Sequence, residues 1–229
     1  MSDFIKLIEL ANTWQGEGPD TGRQMLIARF KNCNLKCPYC DTWIKMQSSV
    51  DGNYSIDEIN VALDKTKGLM ITGGEPTFKD NYDQTLQMLK ECKYQIANVE
   101  TNGFRLVDLL SEPYIKNMEF LAEGKNIHFM YSPKVYTETL FAKERKNIVL
   151  FKDHPLVYYK IVVDCEVGFS ADLIREAAEL TSLDRGKIFL MPEGVTPEEI
   201  RSSWGMTINM ADKLNLNLSS RLHIMNDFT

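Results

Sequence analysis

The chain has 229 residues, 44% of them hydrophobic, and carries 26 Lys and Arg against 32 Asp and Glu, a formal net charge of -6. This length and apolar content suit one large α/β domain spanning residues 1–229, and the acidic balance without a long basic run disfavours nucleic acid as a partner, because phosphate binding needs a basic face. The opening MSDFIKLIEL lacks the apolar centre of a signal peptide and no stretch approaches the roughly 20 apolar residues of a membrane span, so the expected location is cytoplasmic, with no membrane partner.

Met25 to Phe30, MLIARF, reads as a strand feeding a loop that holds Cys33, Cys37 and Cys40, three of the five cysteines. The next element, SIDEINVALDKT, is a helix with Ser55 as cap and Glu58 as its capping-box partner. Ile56, Ile59 and Leu63 line one face of it. GLMITGGEP is an apolar strand that stops at two glycines, and NYDQTLQMLKEC is a helix. YQIANVETNG is a strand, Leu106 to Leu110 a short helical stretch, and IHFMYSPK a further strand. YYKIVVD, the capped amphipathic helix SADLIREAAEL, the strand KIFLMPEG and the helix TPEEIRSSWGMTINMADKL complete the order.

About six strands, each followed by a helix, imply right-handed crossovers and a parallel sheet with outer helices. Six units fall short of the eight that close a full barrel. The expected fold is therefore α/β, an open or partial (β/α)6-type barrel. The polar tails CDT, TGGEP, ETNG, SPK and PEG all follow strands, at the carboxyl edge where parallel α/β folds bind ligands.

In a cytoplasmic chain, neighbouring cysteines more often hold metal or do redox chemistry than form structural disulfides. Structural zinc takes four ligands. Here the fourth would be His128, His154 or His223, none at a characteristic spacing. An iron–sulfur cluster on three thiolates leaves one iron without a protein ligand, the open position that catalysis requires. Cys92 and Cys165 read as lone buried thiols.

CNLKCPYC, joined to TGGEP downstream, resembles the cluster loop and the SAM-binding motif of the radical S-adenosylmethionine (SAM) enzymes. The segment from Thr13 to Thr42 is similar throughout to the 7-carboxy-7-deazaguanine synthases: the QGEG turn (Gln15 to Gly18), Gly22, Arg29, the three cysteines, Asp41 and Thr42. ETNG, SPK, KIVV and RLH follow in that family's order. The resemblance implies a [4Fe–4S] cluster on Cys33, Cys37 and Cys40, with SAM chelating the fourth iron and yielding a 5′-deoxyadenosyl radical. It implies conversion of 6-carboxy-5,6,7,8-tetrahydropterin to 7-carboxy-7-deazaguanine by radical ring contraction with loss of ammonia. Mg2+, a homodimer and an electron donor such as flavodoxin come with it.

Carried over by position, Thr42 gives Mg2+ an oxygen, and Trp14, Gln15, Gly16, Glu17, Arg29 and Thr72 contact substrate. Glu17 accepts N–H donors of the aminopyrimidinone edge, and Arg29 offers a bidentate fork to the substrate carboxylate. Tyr39 lies against the adenine of SAM. Cys40, Asp41, Gly74, Glu75, Ser132, Pro133, Lys134, Met191, Pro192, Glu193 and Gly194 wrap the rest. The two glycines of TGGEP permit close backbone approach to a ligand, and Glu75 can accept a charge-assisted bond from the SAM ammonium. No residue is assigned as acid or base, since the radical comes from SAM. The role of Lys160 stays open. The tail RLHIMNDFT lacks the tryptophan expected soon after the histidine, which leaves His223 unassigned.

Two other readings stand beside this one. A glycyl-radical-enzyme activase would share the cluster loop but act on a protein, and it has no need of a QGEG turn. A non-catalytic zinc- or cluster-bearing module would have no need of TGGEP.

Overall fold

The computed structural model describes residues 4–37, 40, 42–43, 49–135, 138–163, 171–181 and 184–226. Tyr39, Asp41 and Cys165 lie outside the described residues, as does Ser170, the expected cap of the SADLIREAAEL helix. The chain divides into two compact units, one of residues 1–15 and 23–129, the other of residues 16–22 and 130–229.

The first unit contains β1 (Ile5–Leu7), β2 (Glu9–Trp14), β3 (Gln24–Phe30), β4 (Gly52–Tyr54), β5 (Gly68–Gly73) and β6 (Ile96–Thr101). β1 and β4 form a short antiparallel ribbon. β3 pairs parallel with β5, and β5 pairs parallel with β6. β2 is antiparallel to β3 at the other side, with Glu9 opposite Arg29. β3 and β5 are near-continuous apolar runs, as strands covered on both faces are. Met25, Ile27, Met70 and Ile96 make one buried cluster, with Ala11 packed against it.

The helix Ile56–Leu63 begins at the expected capping box: Glu58 N donates to Ser55 Oγ at 3.2 Å and Ser55 N to the Glu58 carboxylate at 2.8 Å. Ile59 and Leu63 are buried on its inner face. The helix Asp80–Glu91 buries Tyr82, Met88 and Leu89 and ends at Cys92, itself buried. Burial pushes the Cys92 thiol up to about 12, which makes it inert as a ligand.

β7 (Asn126–Tyr131) carries the chain from the first unit into the second, the boundary falling between Phe129 and Met130. The second unit holds β8 (Val157–Val163), β9 (Ile188–Pro192) and β10 (Asn217–Leu218), all parallel, in the order β8, β9, β10. Its long helices are Glu138–Leu150, Ala171–Thr181 and Pro197–Leu214. The last of these starts on a second reciprocal capping box, Thr196 with Glu199.

The six expected strands are thus β3 and β5 to β9, in a mixed α/β fold with parallel pairing and flanking helices. The sequence pattern did not reveal β1, β2, β4, β10 or the helix Glu138–Leu150. Among the described residues no helix is long and apolar enough to cross a membrane.

Candidate functional site

In the first unit the chain leaves β3 at Phe30 and enters the cysteine loop. TGGEP lies directly against that departure. Gly74 N donates to Phe30 O and Glu75 N to Asn32 O, both at 2.8 Å. A Cβ on Gly74 would strike the Asn32 carbonyl, and Gly73 has φ +115. The glycines were expected to permit approach to a ligand. Here the closest approach they permit is to the backbone of the cysteine loop itself.

Glu75 is buried and its carboxylate is a hub. Oε1 accepts from Thr77 N (2.9 Å), Thr77 Oγ1 (2.6 Å) and Thr101 Oγ1 (2.6 Å), and Oε2 accepts from Asn102 N (2.6 Å). Burial raises its pKa, and the threonine and backbone donors pull it back down. Asn102 extends the network: its side-chain N–H reaches Cys33 Sγ at 3.8 Å and Asn34 Oδ1 at 2.9 Å. Asn81 donates to Asn32 O at 3.0 Å and Glu75 O at 2.9 Å. ETNG and TGGEP therefore brace the first cysteine through Glu75. The geometry gives Glu75 a supporting role in addition to the SAM contact expected of it.

Cys33, Cys37 and Cys40 are each half-exposed, and none is in a disulfide. Burial raises the Cys33 pKa first, and the charges of Glu75, Cys37 and Cys40 raise it further. A bound cationic centre would favour the Cys33 thiolate against both burial and these charges.

Arg29, Thr42 and Thr72 come together. Arg29 Nε donates to Glu9 Oε2 at 2.5 Å and Nη1 donates to Thr42 Oγ1 at 3.1 Å. Thr72 is the cross-strand neighbour of Arg29, in register between β3 and β5. Arg29 thus stands between Glu9 on one strand and Thr72 on the next. Gln15 is buried and donates to Glu100 Oε1 at 3.2 Å, while Trp14 is exposed.

In the second unit Glu17 sits in a cage of cations. Lys160 on β8 binds Oε2, Arg221 Nε lies 3.2 Å from Oε1, and His223 Nε2 lies 3.7 Å from Oε1. Burial alone would raise the Glu17 pKa. Lys160, Arg221 and His223 outweigh it and hold the carboxyl well below the usual range. Gly16 faces His223 so closely that a Cβ there would strike the imidazole. Ser132 is buried and accepts from Lys134 Nζ at 3.2 Å. In MPEG, Met191, Pro192 and Gly194 are buried. Gly194 has φ +147, and a Cβ there would meet Ile200 N at 2.7 Å.

A model of the radical SAM superfamily matches residues 27–149. The 7-carboxy-7-deazaguanine synthase of Aquifex aeolicus is 30% identical over 197 residues, covering 83% of this chain and 78% of its own. That of Hyperthermus butylicus is 26% identical over 237 residues, covering 98% and 94%. The chain belongs to the radical SAM superfamily and, within it, to the 7-carboxy-7-deazaguanine synthase family. The crystal structure of QueE from Escherichia coli shares the fold, with a TM-score of 0.53 at 17% identity, covering 94% of this chain and 93% of that one.

Membership of the radical SAM family implies a [4Fe–4S] cluster and SAM, and the donor set fits them. Cys33, Cys37 and Cys40 place three soft thiols in one loop, and soft thiolates select iron–sulfur clusters or zinc. Among the described residues no three His, Cys, Asp or Glu side chains converge as the ligands of a single ion. Cluster ligation makes no such demand, because each thiolate binds its own iron.

The residues that sequence reasoning missed are the partners: Glu9, Thr101, Asn102, Arg221 and the place of Lys160. Each bond here joins residues far apart in the chain, Lys160 to Glu17 across 143 positions and Arg221 to Glu17 across 204. ETNG is a polar tail at a strand end, the one local signal that points to Thr101 and Asn102.

Proposed function

We propose that this 7-carboxy-7-deazaguanine synthase family member converts 6-carboxy-5,6,7,8-tetrahydropterin to 7-carboxy-7-deazaguanine, a ring contraction that releases one ammonia. What supports the reading is the likeness to the Aquifex and Hyperthermus synthases along most of the chain, joined to a cation and a hydroxyl held together at Arg29 and Thr42. The cluster on Cys33, Cys37 and Cys40, together with SAM, supplies the radical when bound.

The chain's own residues bind and orient. Arg29 takes the substrate carboxylate with the donors of its planar fork. Thr42 would hold Mg2+ through its hydroxyl oxygen, a hard donor that suits a cation preferring oxygen and retaining several waters. Glu17, an anion in a cationic cage, accepts from the donor-rich aminopyrimidinone edge, with Trp14, Gln15, Gly16 and Thr72 assigned to the same ligand. Ser132, Pro133, Lys134 and the segment Met191 to Gly194 are assigned to SAM, with Tyr39, Cys40, Asp41, Gly74 and Glu75. A homodimer and a flavodoxin-type electron donor belong to the same proposal.

The test is anaerobic reconstitution, then incubation with SAM, dithionite, Mg2+ and 6-carboxytetrahydropterin, with the products read by mass. The expected product is 7-carboxy-7-deazaguanine. If 5′-deoxyadenosine accumulates and no deazapurine forms, the substrate is wrong and a glycyl-radical activase becomes the reading to pursue.

A further inference from the structure

Glu17, Lys160, Arg221 and His223 come from three separate stretches of the second unit: the QGEG turn, β8, and the segment that follows β10. The Lys160 and Arg221 side chains are each 7% exposed and that of Glu17 is 11% exposed. Burying three charges is costly, and replacing a buried ion pair by apolar groups of similar shape is often neutral or stabilising. Stability alone therefore does not account for a lysine inside the apolar run VYYKIVV.

The backbone around Glu17 is fixed as firmly as its carboxylate. Gly16 O accepts from Leu222 N and from Ser220 Oγ, both at 3.1 Å. Gly18 N donates to Ser219 Oγ at 2.9 Å. Arg221, held between these anchors, binds Glu17 and also donates to Gly194 O. The same short segment thus ties the turn on both sides of Glu17 and supplies one of its counter-ions. Lys160 supplies the other from a strand.

We propose that Lys160 and Arg221 are positioning residues that keep Glu17 a fixed anion, so that this position takes only a hydrogen-bond-donating edge of the substrate. The inference rests on the pterin reading above and deepens it. An ionised carboxylate can only accept, and it offers about four lone-pair sites over two oxygens. Lys160 at Oε2, with Arg221 and His223 at Oε1, fixes its orientation. Held in one orientation, it recognises an N–H pair without a further ordering cost. A protonated Glu17 would present a donor to that edge and lose the match. The charged groups facing it are Lys160, Arg221 and His223, and the depressed Glu17 pKa agrees with their placement.

The test measures equilibrium binding of 6-carboxytetrahydropterin to the anaerobic, reconstituted, SAM-loaded protein between pH 6 and pH 8.5. Lys160→Met keeps the stem and removes one of the two buried counter-ions, so burial is opposed only by Arg221 and His223 and the Glu17 carboxyl moves up. Affinity should then fall at least about tenfold at pH 6 and recover as pH rises, because the anion is lost as pH drops through a raised pKa. Lys160→Arg keeps the positive charge and should recover part of the affinity lost in Lys160→Met, with the wild-type pH profile. In a Glu17→Gln background, Lys160→Met should add almost nothing, since the two act through one group. Because His223 Nε2 lies 3.7 Å from Glu17 Oε1, the series is repeated with His223→Gln.

Iron content and circular dichroism report folding for every variant. A Lys160→Met protein with wild-type affinity at every pH overturns the proposal. So does a Lys160→Arg protein that folds yet loses as much affinity as Lys160→Met. An equal loss from Lys160→Met with and without Glu17 also overturns it, because lysine would then act on its own account. Failure of the wild-type protein to bind the pterin overturns the substrate reading itself, and this inference with it.

Discussion

Replacing Glu75 by alanine distinguishes a residue that only touches SAM from one that also builds the cluster loop. The carboxylate accepts four hydrogen bonds, two of them from the backbone N–H groups of Thr77 and Asn102. The threonine hydroxyls can rotate to new partners, but the backbone donors cannot. Each buried donor left unsatisfied costs about 1–3 kcal/mol, so Glu75→Ala should lose about 2–6 kcal/mol of stability. Against a typical total of about 5–15 kcal/mol, that is severe. Asn102 also loses the anchor that sets its contact with Cys33 and Asn34. Urea unfolding of the apo-protein should show the stability loss, and iron and sulfide counts after reconstitution should fall well below four per chain. Glu75→Gln keeps one carbonyl oxygen and should fall between. A Glu75→Ala protein with the wild-type unfolding midpoint and a full cluster would refute the bracing role and leave only the proposed SAM contact.

Cys33→Ala, Cys37→Ala and Cys40→Ala should each abolish iron retention, whereas Cys92→Ala should keep it, because that thiol is buried at a helix end; iron analysis decides. Gly74→Ala drives a Cβ into the Asn32 carbonyl and should lower iron content without touching any ligand, again read by iron analysis. Arg29→Ala should cut turnover of the pterin at least about tenfold, a loss above about 1.4 kcal/mol, and Thr42→Ala should flatten the response to added Mg2+; product formation against Mg2+ concentration checks both. Glu17 contributes to pH-dependent stability in a defined direction. Its folded pKa is depressed, so its contribution is present above the unfolded glutamate value of about 4.3 and is lost as pH falls below it. The stability gap between wild type and Glu17→Gln should therefore shrink between about pH 5 and pH 3 in urea unfolding.

The six expected strands were legible because each is a short apolar run ending at a polar tail, and burial on both faces imposes that pattern. β2 was not, because ELANTW is half polar and earns its place by pairing with β3. The helix Glu138–Leu150 was missed for a related reason. Its buried residues include Phe141 and Ile148, while Val149 and Leu150 at its end are exposed, which blurs the 3.6-residue period. At the site, the cysteines, TGGEP and QGEG were legible as local motifs. Their partners were not. Glu9 reaches Arg29 through hairpin register, and Arg221 reaches Glu17 through the return of the tail to the QGEG turn. Neither pairing leaves a signature in local spacing.

The two buried carboxylates show why motif and partner must be read together. Glu17 and Glu75 are both glutamates in glycine-rich turns, and burial penalises the charge on both. Glu75 is met by hydroxyls and backbone amides, neutral donors that only partly offset burial, and its pKa rises. Glu17 is met by Lys160, Arg221 and His223, which more than offset burial, and its pKa falls. The neighbours set opposite directions on the same side chain. A carboxylate enclosed by neutral donors of its own fold ties loops together, and Glu75 links the ends of β5 and β6 to the first cysteine. A carboxylate fixed by cations stays an anion through the physiological range and can serve a ligand as an acceptor. Bracing the cluster loop and the reading of the substrate edge proposed for Glu17 are therefore separable, and substitutions at the two glutamates should fail in different assays: iron retention for Glu75, pterin affinity for Glu17.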